Sequence, residues 1–366
     1  MQDLRLQTET VPQQGVPDSE INGIRMLRFS FYGNSTEYFK IWIVNLFLSI
    51  ITLSFYSPWA KVRNLRYFYG NTELAGERFD FTALPSRILI GRIIAVLLFV
   101  AVSVLSQLDP VYSLAAWAVF FLIMPWLVRS TMRFRARNSK YGNSRFYFSA
   151  GVGGTYWLFI KCLLVTVFSF GLLYPLALYW FKSYQINHLR LGNLPLHLRS
   201  GVGSFYKAVI LPYLVMMVVV LLIGMLGVFV GGVERFADGE AGNTLYAAFG
   251  LMMTLVYVVM LGLFVPLTQG YLFQATWQNV TLGNNLISTD LNPFTYAWIK
   301  FSNYIVTVLS LGLLRPWALV RLYRYQSASM MVGLYDSPQD LLSLAQDNPH
   351  SIGEEISDVF DIDISL

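Results

Sequence analysis

The clearest constraint on this chain is a single apolar run. Residues Ala208 to Val230 include VMMVVVLLIGMLGVFV and carry no charged side chain. A helix needs about 20 such residues to cross the hydrocarbon core of a bilayer. Three more runs are of similar character: Leu245 to Pro266, Ile88 to Leu108 and Tyr112 to Val128. Three others are shorter and more polar: Tyr38 to Ser57, Tyr156 to Tyr174 and Tyr296 to Leu314. Only 13% of residues are charged, against about 25% in soluble domains. An all-α polytopic membrane protein with seven hydrophobic segments is therefore expected. Most of the nine Trp residues lie near the ends of these runs. An indole there keeps its ring shielded and its N–H wet. Residues 1–20 contain no apolar signal region, so insertion is expected to use the first membrane segments.

The chain also repeats. Five times an apolar segment is followed by Pro, a stretch of aromatic and mostly basic residues, and then Gly. The prolines are Pro58, Pro125, Pro175, Pro266 and Pro316. In four copies Gly falls seventeen residues later, at Gly142, Gly192, Gly283 and Gly333; in the first it is Gly76, one residue further on. Proline suits the first turn of a new helix, Ser57 suits a helix N-cap, and Gly171 and Gly312 suit helix ends. Each copy reads as helix, sharp turn, second amphipathic helix, Gly stop. Three copies match further upstream, near 31–85, 141–200 and 292–334, and two helical pairs, 88–128 and 208–266, lie between them.

Short alternating stretches follow the glycines: Arg78 to Phe81, Arg145 to Phe148 and Leu194 to Leu198. Residues 24–32 have the same character. Alternation with aromatic residues indicates β structure. Pieces this short form a sheet only together, and only on one side of the membrane. The domain reading is a disordered N-terminus (1–21), a membrane domain (22–334) and an acidic tail (335–366).

Charge sets the orientation. The tail holds eight Asp or Glu and no Lys or Arg, leaving 26 basic against 13 acidic residues elsewhere. If all seven segments crossed, basic residues and candidate strands would fall on both sides. If the three repeated units are re-entrant hairpins, 22 of the 23 Lys and Arg outside apolar segments face the cytoplasm, Arg235 being the exception. The positive-inside rule favours the second arrangement, and backbone buried in protein is tolerated at membrane depth. Four crossings, three hairpins, short strands on the cytoplasmic side and a cytoplasmic C-terminus are expected. The tail reads as a solvated segment or a docking peptide for a protein partner.

The stretch FYGNSTEYFKIWIVNLFLSIITLSFYSPWAKVRNLRYFYGNTELAGERFDF, Phe31 to Phe81, resembles the YjgN-type family of bacterial inner-membrane proteins. Its YSPWAKVR and RYFYGNT core carries the likeness, and the copies at 141–198 and 292–333 extend it over nearly the whole chain. The resemblance implies a bacterial inner-membrane location and this architecture. The family has no assigned function, so no catalytic residue carries over.

No catalytic signature is present: no GxSxG, HExxH or GxxxxGK[ST]. One cysteine, Cys162, and three scattered histidines, His188, His197 and His350, exclude a zinc cluster. No enzyme activity, cofactor, metal or nucleic acid is expected. Glu73, Glu77 and Asp80 read as partners for neighbouring arginines such as Arg78. The ionisable groups in or beside apolar segments are Lys40, Lys161, Lys300 and Arg92. They read either as snorkelling to headgroups or as an anion-attracting vestibule, with Asn45 and Asn303 as polar lining. Arg63, Arg66, Arg129, Arg133, Arg135, Arg137, Arg321 and Arg324 read as contacts to lipid headgroups, anionic ones above all. No Asp or Glu lies inside an apolar span, which disfavours an energised transporter. A passive permeation pathway for small solutes or ions is the leading expectation; the alternative is a non-transporting, lipid-engaged scaffold or assembly factor.

Overall fold

The computed structural model describes residues 19–21, 24–237 and 241–335. The acidic tail beyond Tyr335, and the N-terminus before Ser19, lie outside the described residues. β1 (Ser19–Ile21) pairs with β2 (Ile24–Arg28), and β3 (Ser30–Phe31) follows after Phe29 alone. Then the chain runs α1 (Ser35–Ile51), α2 (Ser57–Gly70) and β4 (Thr72–Leu74). β5 (Glu77–Phe81) leads into α3 (Pro85–Leu105), α4 (Pro110–Arg137) and β6 (Ser139–Tyr141). β7 (Ser144–Phe148) leads into α5 (Val152–Phe168), α6 (Tyr174–Asn187) and β8 (Leu189–Leu191). β9 (Leu194–Leu198) leads into α7 (Val202–Ala237) and α8 (Ala241–Val259). A π-helical turn, Met260–Phe264, joins α8 to α9 (Val265–Trp277), and β10 (Val280–Leu282) follows. β11 (Asn285–Thr289), α10 (Pro293–Leu309), α11 (Arg315–Ala328) and β12 (Met330–Leu334) complete the described fold.

The order strand, helix, helix, strand thus occurs five times with constant spacing. A helix begins four residues after the leading strand ends, at 35, 85, 152, 202 and 293. The closing strand begins fourteen residues after the proline, at 72, 139, 189, 280 and 330. Pro58, Pro175, Pro266 and Pro316 sit in the first turn of their helices, where the missing N–H has no intrahelical partner to lose. Pro125 differs: α4 runs straight through it. Ser57 is a first-turn residue of α2 rather than its cap, which is Tyr56.

The all-α expectation is overturned by the strands. All twelve form one antiparallel ladder, in the order β1-β2-β12-β11-β10-β9-β8-β7-β6-β5-β4-β3. β2 and β3 are one extended segment broken only at Phe29. One edge of that segment pairs with β12, Leu27 opposite Val332. The other pairs with β4, Ser30 opposite Glu73. The ladder therefore returns to its start as a nearly closed barrel. Five equivalent hydrogen bonds tie each unit's strand ends together: Tyr32 N to Asn71 O, Thr82 N to Asn138 O, Ser149 N to His188 O, Arg199 N to Asn279 O and Asp290 N to Ser329 O, at 2.8–3.1 Å. Closure removes the exposed edges that short strands would otherwise present.

Two-residue turns join successive units. Ala75 and Gly76 both have positive φ, 55° and 86°, as a type I′ turn requires. Gly142, Gly192 and Gly283 have φ of 53–57° and are each followed by Asn, the type II′ pattern. Gly333 does not stop a helix or turn the chain; it lies inside β12. There the second strand comes from the other end of the chain, so no turn is needed.

The two long helical pairs differ from the three short ones. α4 has 28 residues and α2 has 14, about 42 and 21 Å of helix. Four helical stretches are long and apolar enough to cross a membrane: Pro85–Leu105, Pro110–Arg137, Val202–Met225 and Phe249–Trp277. The short pairs α1–α2, α5–α6 and α10–α11 turn back at matching tips. Leu53, Phe170 and Leu311 sit there with φ of 48–50° and are 85%, 97% and 94% exposed.

Candidate functional site: a chamber at the helical end of the barrel

Inside the barrel, alternation sorts the side chains. Arg28, Arg78, Asp80, Arg190 and His197 are exposed, while their neighbours Leu27, Phe81, Leu191, Leu196 and Leu198 are buried. Leu74, Tyr141, Leu191, Leu196, Leu282, Ile287 and Val332, from seven different strands, belong to one buried cluster. All seven line a cavity of about 750 Å³. Its floor is barrel: Phe79, Phe146, Leu191 and Ile287 among others. Its walls are the second helices of all five units, through Tyr69 of α2, Met132 of α4, Gln185 of α6, Trp277 of α9 and Tyr323 of α11. The sequence reading placed these helices against headgroups; the structure sets one face of each around the chamber.

The polar groups of the lining are few. Tyr141 donates its hydroxyl to Leu74 O at 2.8 Å. Burial, with Glu77 and Glu73 nearby, pushes its pKa up to about 12, so the phenol stays neutral. The hydroxyls of Thr72 and Tyr323 are 2.9 Å apart and share a hydrogen bond. Arg135 is the one charged side chain of the lining. Among the described residues no acceptor or carboxylate meets its guanidinium, and no group of His, Cys, Asp and Glu has the makings of a metal site.

The other residues singled out in the sequence are spread over the molecule. Lys40 is exposed on α1. Lys161 lies 3.6 Å above the Trp180 ring, and Lys300 donates to Gln269 Oε1. They occupy positions nine, thirteen and eleven residues after their leading strands (ending at 31, 148 and 289), so they do not sit at one level as a ring. Arg92 reaches back to the α1–α2 tip and bonds the hydroxyl of Ser57.

Asn45 and Asn303 are equivalent, both fourteen residues after the strand, and both are buried. Asn45 binds Asn64 at 3.1 Å and accepts from Arg63 at 3.3 Å. Asn303 donates to Ala318 O at 2.8 Å and accepts from Arg321 at 3.1 Å. These asparagines lock each hairpin's two limbs together.

Three arginines join neighbouring units through one recurring site, the carbonyl two residues past a leading strand. Arg66 donates to Ala83 O at 3.3 Å, as well as to Phe81 O at 3.0 Å. Arg129 donates to Ala150 O at 2.8 Å, and Arg324 to Gly33 O at 3.0 Å. The last of these closes the ring between the final unit and the first. Arg133 and Arg137 are half-buried on α4. Arg78 pairs with Glu73 at 3.7 Å on the barrel exterior.

Fold and chamber together define a helical membrane protein built on a closed ring of strands. The chain belongs to the bacterial family described as protein of unknown function DUF898, which matches residues 26–359. It is similar to the inner membrane protein YjgN of Escherichia coli O157:H7 and of Escherichia coli K12. Each is 28% identical over 131 residues, 36% of this chain and 33% of the relative. The Salmonella typhimurium protein of the same name is 26% identical over 150 residues, 40% of this chain and 38% of the relative. The aligned stretch thus spans about a third of the length of the curated relatives it matches. No solved structure matches the chain. The names of the relatives and the four apolar helices support an inner-membrane location.

Proposed function

We propose that this is a multi-pass inner-membrane protein that holds lipid and does not conduct solute. The apolar barrel interior carries the reading. Leu74, Leu191, Leu196, Leu282, Ile287 and Val332, from six strands, are buried in one apolar cluster and all six face the chamber. A hydrated ion passing there would lose its water without gaining polar ligands, and apolar constrictions of this kind dewet. The chamber that these side chains floor is walled by aromatic and aliphatic side chains, which suit an apolar chain.

The topology supporting this has four crossing helices, three re-entrant hairpins and a cytoplasmic barrel. From Trp42 to Leu53, Trp157 to Phe170 and Trp298 to Leu311 is 11–13 residues, about 16–20 Å of helix. That is roughly half to two thirds of a ~30 Å hydrocarbon core. The tips satisfy their own backbone. Ser54 N bonds Ser49 O, Gly171 N bonds Thr166 O and Gly312 N bonds Thr307 O, at 2.7–2.8 Å. The hydroxyls of Thr52, Ser169 and Ser310 accept from Tyr56, Leu173 and Leu314 N–H. A turn without unpaired backbone is what hydrocarbon demands. Purified protein in liposomes is expected to give no ion or small-solute flux above protein-free vesicles, and to carry lipid through purification. Flux proportional to protein would overturn the reading.

A further inference from the structure

We propose that the chamber binds one anionic glycerophospholipid, its phosphate on Arg135 and an acyl chain along α4. The proposal rests on the lipid-holding reading above and adds the class of lipid and its anchor.

Charge is the first argument. Arg135 is the lone charged lining residue, no Asp or Glu lines the chamber, and among the described residues the guanidinium has no partner. A second cation stands just behind the wall: Lys182 Nζ lies 3.3 Å from Oε1 of Gln185, itself a lining residue. Two carboxylates, Glu77 and Glu73, stand near Tyr141 of the lining; neither lines the chamber, and Glu73 is paired with Arg78. Guanidinium is the side chain whose planar fork best fits phosphate oxygens.

Level is the second argument. Arg135, Gln185 and Gln326 each stand ten residues after their unit's proline, at 125, 175 and 316, and all three line the chamber. They form one polar tier at the barrel end of the helices, where a headgroup sits in the proposed topology. The two glutamines offer N–H donors to phosphate or ester oxygens.

Shape is the third. Leu127, Val128 and Met132 continue the lining up α4 from that tier. Leu127 is eight residues before Arg135, about 12 Å of helix toward the bilayer. The volume lies within the range of ligand sites, ~300–1,000 Å³.

The test uses the full chain, purified in mild detergent from vesicles of equal phosphatidylglycerol and phosphatidylcholine, with retained lipid counted by native mass spectrometry. Both lipids carry a phosphodiester, but the choline ammonium of phosphatidylcholine offsets that charge and is repelled by Arg135 and Lys182, so wild type is expected to retain phosphatidylglycerol over phosphatidylcholine by about tenfold. Arg135→Gln should bring the ratio near one with total lipid unchanged. Val128→Trp, which fills the half-buried helix wall rather than the barrel core, should lower retention of both lipids while the protein stays monodisperse. If Arg135→Gln keeps the preference, or Val128→Trp keeps full retention, this proposal is overturned and lipid holding survives. If wild type retains neither lipid, both readings fall together.

Discussion

Single residues set the turns and the floor of the chamber. Gly283 has φ of 57°, and a Cβ there would stand 3.0 Å from Leu194 Cδ2. Gly283→Val is expected to destabilise the fold by about 1–3 kcal/mol, read as a fall in melting temperature in detergent. The glycine spacing was legible in the sequence, but its meaning was not. Three glycines turn strands, whereas Gly333, at the same offset, lies within a strand that pairs on one edge with β11 and on the other with β2, some 300 residues away. Tyr141 makes a prediction in pH. Its folded pKa, about 12, lies above the ordinary value of 10.0. The unfolded chain therefore releases its proton first. The stabilisation is complete below pH 10 and is lost as pH rises toward 12. Tyr141→Phe should cost about 1 kcal/mol near neutral pH, for the hydrogen bond to Leu74 O. Melting curves between pH 8 and 11 should show a shallower alkaline decline than wild type; an equal decline would remove Tyr141 from the account.

At the scale of elements, the three short hairpins and the arginine links make the strongest demands. Leu311 is 94% exposed at a tip of positive φ, and in the proposed topology that tip lies in hydrocarbon. Leu311→Asp places a carboxylate near the bilayer centre and is expected to cost about 3 kcal/mol of insertion, measured as lost membrane-integrated protein. A tip at a water interface would accept the same change without loss. Arg324→Gln removes the bond to Gly33 O that joins the last unit to the first. It should cost about 1.5–3 kcal/mol, more than Arg133→Gln on α4, and a smaller loss than Arg133→Gln would dismiss the ring-closing role. The helices and their prolines could be read from periodicity and apolar length. The strands β4, β6 and β8 could not: TEL, SKY and LRL are three residues each, too short to carry a period. β11 and β12, NLIST and MMVGL, lack the charged-aromatic alternation that marked ERFDF and SRFYF.

At the scale of the whole molecule, each unit leaves the ring and comes back to it. In the proposed topology every strand and turn therefore shares one face of the membrane, and the basic residues lie on that side. The sequence reading grouped its candidate strands on one side, yet took the fold as all-α, because ring closure is a property of pairing and not of any segment. The chamber was illegible for the same reason: its lining is drawn from all five units, six residues from α4 and one to three from each other contributing element. The most direct test is sidedness at the ring. With Cys162 replaced by Ala, a single cysteine is placed at Asn143, in the turn between β6 and β7, and in a second variant at His197 on β9; both positions are exposed. Intact cells are treated with a membrane-impermeant thiol reagent, then permeabilised. Both cysteines are expected to be protected in intact cells and labelled after permeabilisation. Labelling of one but not the other in intact cells would put the strands on opposite sides of the membrane, and no closed barrel could then exist; labelling of both would contradict a cytoplasmic ring.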